Sequence, residues 1–137
     1  MLKRATRFLL LYILILGVVF SAVPLAHATP MDHPNTYKNT GNMRADIIGV
    51  ALTQVGYYEG TNNDTKYGVW YGLNNRGWCG IFVAWCADQA GIPKSIIPKN
   101  GTTYPADFNC KSYSGKNYRP QPGDLFFTKS GSGYSHV

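Results

Sequence analysis

Three cysteines, Cys79, Cys86 and Cys110, and two histidines, His33 and His136, are the residues beyond the apolar N-terminus best suited to nucleophilic and acid–base chemistry. Cys79 opens a run in which Trp78, Ile81, Phe82, Trp85 and Gln89 follow one helical stripe, while Cys79, Val83, Cys86 and Ala90 follow an adjacent one. A thiol in the first turn of such a helix faces unpaired backbone N–H groups and the positive end of the helix dipole, which favour an anionic sulfur. The same N–H groups can hold the oxyanion of a tetrahedral intermediate. A cysteine taken singly reads more simply as a small buried hydrophobe, and only a base placed beside it favours a nucleophile. His136 follows a turn and begins a strand, where it is rigid; His33 lies in a polar stretch and makes a poor base. Cys79 with His136 is therefore a candidate Cys/His dyad.

The other thiols leave two readings open. Cys79 and Cys86 are seven residues apart on one helix, about 10 Å along its axis and beyond the roughly 7 Å limit for a disulfide. Cys110 is free to pair, more readily with Cys86 deeper in the helix, or both remain reduced. With no Cys-x-x-Cys, a thiol–disulfide oxidoreductase is disfavoured.

The elements that must position the dyad are few. Asn42 can cap a helix with apolar positions Met43, Ile47, Val50, Ala51 and Val55, stopped by Gly56. Residues 57–77 are aromatic and rich in Asn and Gly, and read as a structured loop beside a cleft. The Trp78 to Ala90 helix is apolar on most of its circumference, as a helix packed on a sheet would be, and Gly91 and Pro93 end it. Residues 92–122, with five prolines, read as irregular with one short helical turn. Pro122-Gly123-Asp124 is a turn signature in which Asp124 caps backbone N–H groups. Leu125 to Thr128 then reads as a strand, Lys129 to Gly133 as a turn, and Tyr134 to Val137 as a second strand.

Within the 57–77 loop, Glu59, Asn62, Asn63, Asp64 and Tyr67 have atoms that could hold a cation. Their spacing matches no established calcium loop, and a hydrogen-bonded turn is favoured. Tyr57, Tyr58, Tyr67, Trp70 and Tyr71 suit either stacking on a sugar or peptide or plain packing.

The chain has 137 residues, 45% hydrophobic, 15% charged and 14% aromatic, which fits one globular domain. Lys3, Arg4 and Arg7 precede the apolar run Phe8 to Leu25, which ends in Ala26-His27-Ala28. That is the pattern of a secretory signal cleaved after Ala28, giving a mature chain from Thr29 and a secreted or wall-associated protein. An uncleaved anchor is the competing reading. Without those three cations the formal charge falls from +6 to +3, with no basic cluster. That argues against nucleic acid as a partner and is compatible with an anionic cell envelope. Residues 29–41 are expected to form a flexible lead-in.

Trp78-Cys79-Gly80-Ile81-Phe82-Val83-Ala84-Trp85-Cys86, continuing to Gln89-Ala90-Gly91-Ile92, resembles the nucleophile helix of the CHAP domain, the cysteine, histidine-dependent amidohydrolase/peptidase family of bacterial cell-wall hydrolases. Gln121-Pro122-Gly123-Asp124-Leu125-Phe126-Phe127 followed by Ser135-His136-Val137 resembles the same family's strand and histidine signature. The resemblance implies a papain-like α+β fold over residues 42–137, with the nucleophile helix packed on an antiparallel sheet, Cys79 as nucleophile, His136 as base and Cys86 non-catalytic. It further implies amide hydrolysis in peptidoglycan, as an N-acetylmuramoyl-L-alanine amidase or an endopeptidase. No metal or organic cofactor and no partner protein is called for, and a monomer is expected. The family's third polar residue, which orients the histidine, follows the Ser-His-Val segment, so the reading expects a domain whose last strands are missing and a fragment inactive by itself. A catalytically silent envelope-binding module is the alternative.

Overall fold

The computed structural model describes residues 33–101, 104–113 and 117–137. The apolar run, the Ala26-His27-Ala28 site and the first residues of the lead-in lie outside the described residues. Among those described, no helix is long and apolar enough to cross a membrane.

Three helices and a hairpin follow in order: α1 (Met43–Leu52), α2 (Lys66–Tyr71), α3 (Cys79–Gln89), a 3-10 turn at Pro105–Asp107, β1 (Thr128–Ser130) and β2 (Gly133–His136). The class is α+β, as the sequence predicts. The described sheet has two strands, and α3 packs chiefly against α1 and α2. The segments flanking the hairpin reach the same core through Leu125, Phe127 and Val137.

Each helix has a local cause. Asn42 caps α1, its side chain accepting from the N–H groups of Arg44 and Ala45. The helix ends at Leu52, earlier than the apolar spacing predicts. Thr53 donates its hydroxyl to the Val50 carbonyl at 2.6 Å and draws the last turn tight, leaving Val55 73% exposed. Gly56 does adopt positive φ, but four residues beyond the helix. The α2 helix lies inside the stretch read as loop. Six residues long, it is capped by Thr65, whose hydroxyl accepts from Gly68 N–H, and closed by Gly72. The Asn74 side chain joins its start, accepting from Thr65 N–H at 3.0 Å and donating to Asp64 at 2.5 Å.

The α3 helix matches its periodicity. Seven of its eleven residues are buried, and it stops in a Schellman motif, with Ile92 N–H bonded to the Ala87 carbonyl and Gly91 N–H to that of Asp88. Below it sits Tyr67, wholly buried, with the rings of Tyr57, Trp78, Phe82 and Trp85 between 4.7 and 5.4 Å away. Burying a side chain of this size is worth about 2 to 3 kcal/mol. Its hydroxyl is satisfied by Gln54 Oε1 at 3.0 Å, and burial pushes its pKa up. Lys66 lies over the Tyr57, Tyr67 and Trp85 rings and donates to Gln54 Oε1 and the His33 carbonyl; burial lowers its pKa.

Where the sequence suggests a flexible lead-in, residues 33–41 are fastened to the helices. Asp46, 1% exposed, accepts from Thr40 N–H, Thr40 hydroxyl, Tyr37 hydroxyl and Gly41 N–H at 2.8 to 3.1 Å. Burial works to raise this carboxyl, but the hydrogen bonds, those of Thr40 foremost, outweigh it and leave it lowered. Asn39 also donates to the Gln89 carbonyl at the end of α3.

The approach to the hairpin is fixed by a type II turn. Gly123 has φ 85° as the position after Pro122 requires, and Asp124 N–H bonds the Gln121 carbonyl. Arg44 of α1 clasps it, donating to the Pro122 carbonyl at 3.0 Å and to Asp124 at 2.8 Å. Leu125 to Phe127, expected as a strand, alternate inward and outward with Phe126 75% exposed, but pair with no strand among the described residues. The ladder begins three residues later, at Thr128. Its two-residue loop places Gly131 at φ 61°, where a type II′ turn needs glycine, so Lys129 and Ser130 belong to β1 instead of the expected turn.

Asp124 offers a test of this clasp. The Gln121 N–H, then the Tyr118 hydroxyl and Arg44, hold its carboxyl down at about 2. A folded-state pKa below the unfolded value of about 4 stabilises fully above that value and is lost as pH falls through the lower one. Asp124→Asn should therefore lower the melting temperature at neutral pH, with a deficit that shrinks between about pH 4 and pH 2. Thermal melts of both proteins across that range check it; a deficit independent of pH contradicts it.

Candidate active site

Cys79 and His136, 57 residues apart in sequence, line one cleft of about 720 Å³. Cys79 is half-buried at the first position of α3. Trp78 occupies the N-cap position, where an indole has no acceptor to offer, and among the described residues no side chain caps the helix. Among the described residues, the first-turn N–H groups beside the thiol thus carry no side-chain acceptor, and the first helical bond runs from Phe82 N–H to the Trp78 carbonyl at 2.7 Å. His136 is exposed at the end of β2, paired in register with Thr128 across a bulge. Its imidazole makes no hydrogen bond among the described residues.

The remaining wall is contributed by Ala51, Gln54 and Val55 at the end of α1, by Tyr57, Asn63 and Gly77 of the intervening segment, and by Phe82, Ser135 and Val137. Tyr67 forms the floor without exposing its own surface. Ala51 and Val55 were expected on the buried face of the first helix. Ala51, inside α1, does pack partly on the core at the edge of the cleft, whereas Val55, beyond the early end of α1 at Leu52, is exposed and turns toward the cleft. Gln54 carries no sequence signal for this position: it is a polar residue in an apolar helical stripe, drawn inward by Tyr67 and Lys66.

The three cysteines have distinct environments. Cys86 is 2% exposed, and burial pushes its thiol up to about 12, which makes it inert. Cys110 is exposed, and all three thiols are free, so the possible Cys86–Cys110 bridge is not formed. His33 stacks edge-on against Tyr57 at 6.0 Å and does not line the cleft.

The polar cluster of residues 59–67 is a hydrogen-bonded turn. Asp64 accepts from Asn74, the Asn62 carbonyl from Asn75, and Glu59 from the Trp78 indole at 2.5 Å. No group of three or more His, Cys, Asp or Glu side chains placed to hold a metal occurs among the described residues. Of the five aromatics considered for stacking, Tyr57 lines the cleft, whereas Trp70 and Tyr71 hold the Lys99 ammonium, 4.1 Å from the Trp70 ring centre.

No curated protein and no solved structure matches the chain. Residues 70–137, about half of it, match the family model of the CHAP domain, a span that includes α3 and the hairpin and hence both Cys79 and His136. The chain carries a CHAP domain, and with it membership of a family of hydrolases of the peptidoglycan amidase and peptidase type.

Proposed function

We propose that the protein is an exported peptidoglycan hydrolase that cleaves an amide bond by acyl transfer through Cys79 and His136. The observation that carries this reading is the shared cleft, in which the thiol lies at an uncapped helix start and the imidazole on the facing hairpin. Cys79 Sγ attacks the scissile carbonyl carbon and passes its proton to His136, while first-turn N–H groups receive the developing oxyanion. Collapse breaks the C–N bond, and His136 returns the proton to the leaving amine. Water then attacks the thioester as His136 takes its proton. The C–S bond breaks, releasing the acid and restoring the thiol. The scissile bond is either that between muramic acid and L-alanine or one within the stem peptide or cross-bridge.

One observation favours the reading as a silent envelope-binding module: nothing among the described residues orients the His136 ring. Timed alkylation with iodoacetamide near neutral pH, followed by peptide mapping, separates the two. As an enzyme, the protein should label Cys79 at least about tenfold faster than the exposed Cys110, with Cys86 unlabelled until denaturation. Labelling of Cys79 no faster than Cys110 supports the binding module.

A further inference from the structure

Of the polar residues at positions 59–64, Asn63 alone lines the cleft that holds Cys79 and His136. The turn at residues 60–64 is closed by the Gly60–Asp64 bridge, and both central residues, Asn62 and Asn63, have positive φ, 59° and 57°. This is the conformation that a two-residue type I′ turn demands, and asparagine accepts it better than any other side-chain-bearing residue. The loop is pinned on each side by bonds to residues 74–78: Asn62 through its carbonyl to Asn75, Asp64 to Asn74, and Glu59 to the Trp78 indole. Asn63, held between these pins, lines the cleft that contains Cys79 and His136, and its side-chain amide makes no hydrogen bond among the described residues. A primary amide on a fixed backbone presents N–H donors and a C=O acceptor side by side in one plane, which complements the C=O and N–H of a secondary amide.

We propose that Asn63 is a substrate-binding residue whose side-chain amide hydrogen-bonds a secondary amide of the wall polymer in this cleft. The proposal rests on the peptidoglycan reading. Two parts of that polymer carry the group, the peptide backbone of the stem and the N-acetyl group of the amino sugars. The bland role for Asn63, tolerance of positive φ, makes an opposite prediction for one substitution. Glycine adopts that backbone still more readily, so Asn63→Gly preserves or raises stability while deleting the amide.

The test uses the full chain carrying Cys79→Ala, which prevents turnover, and titrates it calorimetrically with a sugar-free stem tetrapeptide and with an N-acetylglucosamine tetrasaccharide. At least one of these should bind, and its dissociation constant should rise about tenfold in Asn63→Gly, the value of one or two lost hydrogen bonds. The melting temperature should not fall. Asn62→Gly, at the neighbouring position of the same turn but outside the cleft lining, should bind as the parent does. Asn63→Asp keeps the shape and the backbone tolerance but loses the N–H donor, and should also bind weakly. Whichever ligand responds identifies the source of the amide. Binding of neither ligand, or binding indifferent to Asn63→Gly and Asn63→Asp, overturns the proposal. Asn63-dependent binding by a chain that, with Cys79 intact, cleaves no wall material would support the proposal while refuting the hydrolase mechanism.

Discussion

Cys79→Ala is expected to reduce lysis of purified cell walls by about 10⁴-fold or more, to the background of a turbidity assay, because no other thiol can replace it. Cys86 is buried two turns along the same helix with its thiol pushed up to about 12, and Cys110 is exposed outside the cleft lining. Cys86→Ala should act on stability instead, since it removes one buried sulfur and leaves a small cavity, at a cost of about 1 to 2 kcal/mol. Loss of lysis in Cys79→Ala with an unchanged melting temperature, set beside retained lysis and a lowered melting temperature in Cys86→Ala, is the expected pattern. Lysis retained by Cys79→Ala contradicts the mechanism.

His136→Ala should lower turnover of a soluble disaccharide-peptide by about 10²- to 10⁴-fold, the range that a general acid–base group supplies. Both half-reactions pass a proton through this imidazole, so kcat should carry the loss and KM should change little. His33→Ala is the internal control. The His33 ring touches Tyr57 from outside the cleft, and its bond to Lys66 uses the main-chain carbonyl, which the substitution keeps. A His136→Ala enzyme with wild-type kcat, or a His33→Ala enzyme as impaired as His136→Ala, would show that the base lies elsewhere.

The elements that carry these two residues are the ones most legible in sequence, for a physical reason. Eleven residues of sustained apolar periodicity ending in glycine specify α3 and therefore put Cys79 in its first turn. A Pro-Gly-Asp turn likewise announces the approach to His136. What escaped the sequence depends on partners distant in the chain. The six residues of α2 are too few to show a period and are held by Thr65, Asn74 and Gly72. Asp46 sits among apolar residues of α1, where nothing local says that four donors from residues 37–41 will converge on it. The start of β1 moved from Leu125 to Thr128 because alternation specifies which way side chains point, whereas a ladder also needs a neighbouring strand. Gln54 and Asn63 reach the cleft through the early end of α1 and a tight turn, neither of which leaves a pattern of its own at these residues.

The central claim is that Cys79 forms a covalent bond to the acyl part of the substrate. Rapid acid quenching of the unmodified chain during turnover of a soluble disaccharide-peptide, followed by peptide mapping by mass spectrometry, tests it most directly. The account predicts an acyl adduct on the peptide bearing Cys79, absent when His136 is replaced by alanine, and labile to hydroxylamine as a thioester must be. Turnover accompanied by an adduct on Cys110, or by an adduct on no cysteine at any quench time, would contradict it.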